Sequence, residues 1–273
     1  MATHSFLASS IRITLAVAVG FYLLLVVLCA IFQRRLIYFP ETLTEKQTAD
    51  MLRLYKVTPW PEGEPYRAVT RPPRDGETFT NGTVLVFHGN ATSAYQLDDL
   101  FAPLQKRGWR VVLAEFPGYA GRAGIPTEAT ITADARETAK RVRASYPGTL
   151  ALFGISLGTG VASAIAADPE VDADAVILAT PFDSMVSVGA WHYPWLPVRL
   201  LLRDRWDNVA ALRDYRGTIH VLMAADDEVV PAASTRRLLK AFPRATLTTI
   251  QEASHNDWFE RMTDRDWDAL LAN

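Results

Sequence analysis

The hydrophobic positions fall into one long block followed by a series of short ones. Positions 13–32 (ITLAVAVGFYLLLVVLCAIF) run for twenty residues without a charge. At about 1.5 Å of rise per helical residue, that length matches a hydrocarbon layer of ~30 Å and predicts one membrane-spanning helix. Arg12 bounds the block on one side and Arg34 and Arg35 on the other; Leu36, Tyr38 and Phe39 then form a cluster suited to the headgroup region. A buried soluble helix is seldom apolar on every side for this length. A cleaved signal peptide usually has a shorter apolar region and a small-x-small site, whereas this block runs into Phe32-Gln33-Arg34-Arg35.

Beyond the block, residues 36–80 hold Pro40, Pro59, Pro61, Pro65, Pro72 and Pro73 and read as a linker with short early or edge strands. Short apolar runs follow at 83–88, 110–115, 150–155, 175–179, 220–224 and 245–250. Most lack period-two alternation, as expected of central parallel strands covered on both faces. Helical stretches are predicted at 95–107, 130–145, 157–167, 234–241 and 258–271. This alternation predicts an α/β fold, a mostly parallel doubly wound sheet. The stretch 181–217 is too long for an ordinary loop. Its Trp191, Tyr193, Trp195 and leucines 200–202 predict a helical cap insertion over the carboxyl edge of the sheet. The expected organisation is therefore an anchor over 1–35, linker and early strands over 36–80, and a catalytic core over 81–273.

Composition sharpens this picture. The 273 residues are 49% hydrophobic and 21% charged, with a formal net charge of −2. Residues 1–40 carry three arginines and no acid, so the remainder is mildly acidic, with 25 basic and 30 acidic residues. No basic field suggests a nucleic-acid partner. The single Cys29 excludes an internal disulfide and a cysteine-based metal site, and no zinc-type histidine spacing occurs, so neither cofactor nor metal is expected. The one-residue excess of flanking arginine on the carboxyl side of the block leans toward a cytoplasmic main domain.

The chemistry is concentrated in a few places. Gly154-Ile155-Ser156-Leu157-Gly158 lies between a predicted strand and a predicted helix, the context of a nucleophile elbow. A serine hydroxyl needs a base. In this arrangement the chain order is serine, acid, histidine. His4, His88, His192 and His220 are badly placed for that order, which leaves His255, in a loop after the last strand. The acid is sought in Ala225-Asp226-Asp227-Glu228, with Asp183 after the preceding strand as a further candidate. Two backbone N–H groups are required for a developing oxyanion. They are expected from Leu157 and from Asn90, with Gly89 letting the backbone come close.

Taken together, these segments resemble the membrane-anchored serine hydrolases of the α/β-hydrolase superfamily, a group that includes lysophospholipid lipases, esterases and protein depalmitoylases. The similarity is carried by 33–40 (QRRLIYFP), 87–91 (FHGNA), 116–124 (FPGYAGRAG), 154–158 (GISLG), 227–231 (DEVVP), 255–257 (HND) and the cap segment 193–202. The D-x-V-V-P spacing to Pro231 favours Asp227 as the acid. Thr92-Ser93 replace the usual Gly-Asn, and Glu115 stands where Asp is common. The resemblance implies cleavage of carboxylic esters or thioesters of small-molecule or lipid acyl substrates, or of acylated proteins. Phe182, Trp191 and Trp195 are the expected pocket residues. A peptidase on the same fold and a catalytically silent tethered binding protein are the alternatives.

Overall fold

A computed structural model describes residues 2–73 and 78–270. Helix α1 (Ala2–Ile37) opens the chain, followed by α2 (Glu45–Leu54) and two short strands, β1 (Thr58–Trp60) and β2 (Ala68–Thr70). Then come β3 (Gly82–Phe87), α3 (Ala102–Lys106), β4 (Trp109–Ala114), α4 (Glu128–Ser145), β5 (Leu150–Ile155), α5 (Leu157–Ala166) and β6 (Ala175–Ala179). The chain closes with α6 (Met185–His192), α7 (Val198–Leu201), α8 (Asn208–Ala211), β7 (Thr218–Ala224), α9 (Ala232–Ala241), β8 (Thr246–Ile250) and α10 (Asp264–Leu270).

The eight strands form one sheet in the order β1-β2-β4-β3-β5-β6-β7-β8. The first two pairings are antiparallel and the rest parallel. Along each central strand, residues alternate between two apolar layers. Leu85, Phe87, Leu150 and Leu152 face one layer with Ile131, Val161 and Ile165. Val84, Val86, Ala151 and Phe153 face the other with Phe101, Trp258 and Trp267. Both faces are covered by helices, which is why the strands read as continuous apolar runs.

The chain moves from β3 to β4 on one side, then crosses back to β5 on the other side of β3. This reversal opens a crevice beyond the carboxyl ends of β3 and β5, where open α/β sheets bind ligands. The parallel register pairs Phe87 with Gly154, so Gly89-Asn90 and Ser156-Leu157 emerge side by side.

Three expectations change. The supposed linker contains α2, whose Thr44 cap bonds reciprocally with Gln47. Only Thr48 and Leu52 of that helix are buried, so it carries no long apolar run to mark it, although the Thr-x-x-Gln box stands at its start. The helix expected over 95–107 is two single 3₁₀ turns and α3, restarted where Pro103 occupies the first helical positions. The one expected over 258–271 is a run of turns and then α10, which Thr263 and Asp266 cap reciprocally. Position 271 lies outside the described residues. The part of α1 from 10 to 37 is long and apolar enough to cross a membrane. It extends past the apolar block of 13–32 at both ends, and at the carboxyl end Gln33 and Arg34 find partners on the body.

Packing of α5 is tight. A Cβ on Gly160 would lie 2.8 Å from the ring of Trp206. Trp206 is buried and donates its indole N–H to the Tyr38 hydroxyl at 3.0 Å. Gly160→Val should therefore cost about 3 kcal/mol, the upper range for overpacking, as a lowered midpoint in urea unfolding. An unchanged midpoint would contradict this packing.

Candidate active site

Ser156 caps the amino end of α5 with φ 51° and ψ −112°. A non-glycine residue at positive φ is strained by of order 1–3 kcal/mol, so the surroundings must hold it. They do so by close approach. A Cβ on Gly154 would meet the Gly158 carbonyl oxygen at 2.4 Å, and one on Gly158 would meet the Phe87 carbonyl oxygen at 2.1 Å. Both glycines of the motif are thus sterically required. The Ser156 N–H donates to the Ala179 carbonyl at 2.9 Å, which fixes the turn to β6.

His255 Nε2 lies 2.9 Å from Ser156 Oγ, and His255 Nδ1 lies 2.8 Å from Asp227 Oδ2. The other oxygen of Asp227 accepts the N–H groups of Val229 and Val230 at 2.9 and 2.7 Å. The Asp227 side chain is nearly buried, with 5% exposure. Of the other acid candidates, Asp226 is exposed. Asp183 is engaged elsewhere, by Arg237 at 2.6 Å, Ser187 and Ser234.

Asn90 and Leu157 both line the cavity at Ser156. The spatial argument for Gly89 does not hold, because a Cβ there would make ordinary contacts of 3.6 Å or more. His88 is fully buried, its Nδ1 2.7 Å from the Gly89 carbonyl and its Nε2 2.9 Å from Glu115. Glu115 also accepts the Ala94 N–H at 2.8 Å, so the longer acid is fully used beneath the loop.

The side chain of Asn90 was not singled out in the sequence. Its amide donates to the Ile37 carbonyl at 2.6 Å. Its oxygen accepts the Phe39 N–H and the Tyr119 hydroxyl, each at 3.0 Å. Burial raises the Tyr119 phenol well above its usual range, so it stays a neutral donor. The segment just after α1 is thereby joined to the loop beside Ser156. A lone Asn after His-Gly carries no sequence signal for such a contact.

The cavity measures about 430 Å³. Leu157, Phe182, Met185, Val188, Leu196, Val198, Leu202 and Val230 supply much of an apolar lining. Of the three expected pocket residues, Phe182 and Trp195 line it. Trp191 does not; it is 57% exposed and packs edge-on against His192. No Asp, Glu, Lys or Arg occurs among the described lining residues, and no cluster suited to a metal occurs among the described residues. One wall comes from α1, through Cys29, Gln33, Leu36 and Ile37.

The sheet order and the elbow define an α/β-hydrolase fold. Solved structures with this fold align over most of the chain. Thermogutta terrifontis esterase 2 aligns with a TM-score of 0.59 and 18% identity, covering 79% of this chain and 90% of its own. The monoacylglycerol lipase of Paleococcus ferrophilus gives 0.54 and 16%, covering 71% and 95%. The serine aminopeptidase (S33) family description matches residues 79–202. An uncharacterized protein of Mycobacterium tuberculosis is 32% identical over 240 residues, covering 82% of this chain and 81% of its own. The chain belongs to one family with this mycobacterial protein, within the α/β-hydrolases, and is a serine hydrolase.

Burial works against the Asp183 carboxylate, but hydrogen bonds from Arg237, Ser187 and Ser234 outweigh it and hold its pKa below the usual range. A depressed carboxylate pKa stabilises the fold above the unfolded-state value and loses that contribution in acid. Asp183→Asn should cost about 1–2 kcal/mol at neutral pH, allowing for the half-exposed Arg237. The gap from wild type should close as pH falls through the carboxylate range. A gap independent of pH in thermal unfolding would refute this.

Proposed function

We propose that the chain is a membrane-anchored hydrolase that cleaves carboxylic esters or thioesters of hydrophobic acyl groups. The observation that carries this reading is the hydrogen-bonded line Ser156–His255–Asp227, ending at a strained elbow on the floor of an apolar cavity. His255 takes the proton from Ser156 as its oxygen attacks the acyl carbonyl. Asp227 holds the imidazole with its Nδ1–H inward and stabilises the imidazolium that forms. The N–H groups of Asn90 and Leu157 receive the oxyanion. The tetrahedral intermediate collapses, His255 protonates the departing alcohol or thiol, and the acyl-enzyme forms. Water, deprotonated by His255, then releases the acid and restores Ser156.

The lining favours acyl groups over peptides. An aminopeptidase must hold the α-ammonium group of its substrate, and the described lining residues offer no carboxylate. Apolar pockets of this size bury acyl chains without leaving charges unpaired. The long apolar N-terminal helix supports anchoring, and its arginine pair Arg34 and Arg35 favours a cytoplasmic domain.

The test is labelling by a fluorophosphonate together with hydrolysis of acyl esters by the full chain in detergent. Ser156→Ala should abolish both. Asp227→Asn should lower kcat by about 10³–10⁴-fold, because the imidazole loses its orientation and the stabilisation of its charged form. Asp226→Asn should leave the rate near wild type. Labelling that survives Ser156→Ala would overturn the assignment.

A further inference from the structure

The cap does not sit on the body alone; it runs down along α1. Near the carboxyl end of α1, Gln33 donates to the Leu201 carbonyl at 3.1 Å and accepts the Arg203 N–H at 2.7 Å. The adjacent Arg34 pairs with Asp204 at 3.1 Å. Far back on the helix, the Tyr22 hydroxyl donates to the Trp195 carbonyl at 2.8 Å. Tyr22 and Gln33 are eleven residues apart, so the two contacts are separated by about 16 Å along the helix axis.

That separation is about half the thickness of a ~30 Å hydrocarbon core. With the apolar block 13–32 in the bilayer, Tyr22 lies near its midplane. With the span moved as far toward the amino end as Ser10, twenty residues still reach Cys29, and Tyr22 remains about 10 Å inside. In either placement the cap contacts α1 within the hydrocarbon. The cap's composition agrees. The fifteen residues 184–198 include no Asp, Glu, Lys or Arg. Trp191, Tyr193, Trp195 and Leu200 are at least half exposed, and Leu200 reaches 85%. Exposed apolar groups of this kind are costly in water and suited to an acyl layer.

We propose that the cap dips into the leaflet beside α1, and that α1 and the cap together form a sideways entrance for a lipid ester of that leaflet. Its acyl chain passes along Cys29 and Leu36, between the anchor and the cap, and reaches Ser156 without crossing water. The anchor is thus part of the substrate site as well as a tether. This rests on the hydrolase and anchor readings above, and it goes beyond them by assigning specificity to α1 and a depth to the cap.

Two measurements on the full chain in lipid nanodiscs test it. The first does not involve catalysis. In a Cys29→Ser background, Trp195→Cys is given a nitroxide label. The label should relax strongly with oxygen and weakly with a water-soluble nickel chelate, the reverse of a label introduced by Glu137→Cys on α4, where the side chain is 46% exposed. Equal nickel access at the two positions would overturn the leaflet placement. The second reads the route. Cys29→Trp should lower the ratio of kcat/KM for a dodecanoyl ester to that for an acetyl ester by at least about tenfold. Hexyl methanethiosulfonate, which couples to Cys29 of the already folded protein, should do the same if the variant fails to fold. An unchanged ratio under both treatments would overturn the route. Absence of fluorophosphonate labelling in the wild type would instead overturn the hydrolase reading, which the nitroxide result does not depend on.

Discussion

The site depends on how closely α5 approaches the end of β3. Gly158 stands where any side chain would collide with the Phe87 carbonyl, and this contact brings the first turn of α5 beside the strand end that carries Asn90. The two proposed oxyanion donors, Asn90 and Leu157, thereby come from segments almost seventy positions apart yet line one cavity with Ser156. The positive φ of Ser156 follows from the same turn: the chain must reverse from strand into helix with no room for a wider bend. The surrounding hydrogen bonds hold that strain in place, and the Ser156 oxygen is presented to His255 rather than turned into the sheet.

A second dependence links the N-terminal helix to the site. Asn90 uses its side chain to hold the Ile37 carbonyl and the Phe39 N–H, while its backbone belongs to the loop beside Ser156. Trp206, at the return of the cap, packs on Gly160 and donates to Tyr38. Its backbone N–H and that of Arg205 are held by Glu128 at the start of α4. The segment leaving α1 is therefore enclosed between the loop and the returning cap. Movement of the helix relative to the body would strain the Asn90 loop and the cavity wall together. An apolar helix joined this firmly to a serine-hydrolase site is more than a tether in physical terms.

Much of this architecture was legible in the chain. The central strands announced themselves because both their faces are buried, and α5 because its small residues follow a serine flanked by glycines. Helix α2 was hidden by its polarity, and the break at Pro103 by the apolar residues around it. Asp227 could be separated from Asp226 only through the D-x-V-V-P resemblance. In the structure the distinction is plain: Asp227 turns inward onto two backbone N–H groups and His255, and Asp226 faces solvent. The error at Trp191 arose because aromatic content shows that a segment seeks apolar surroundings but not which ring faces the cavity.

By itself the sequence determined the local features: the apolar helix, the parallel strands, the elbow and the order of serine, acid and histidine. These depend on residues near one another along the chain, through periodicity, glycine sterics and capping. Only the tertiary structure decided what lies across the cavity from Ser156. The reversal of strand order between β3 and β5 sets the crevice, and the return of the cap along α1 makes that helix one of its walls. The Tyr22–Trp195 and Gln33–Leu201 contacts join residues about 170 positions apart. No periodicity encodes such a pairing, because it arises only when separately specified elements are packed against each other.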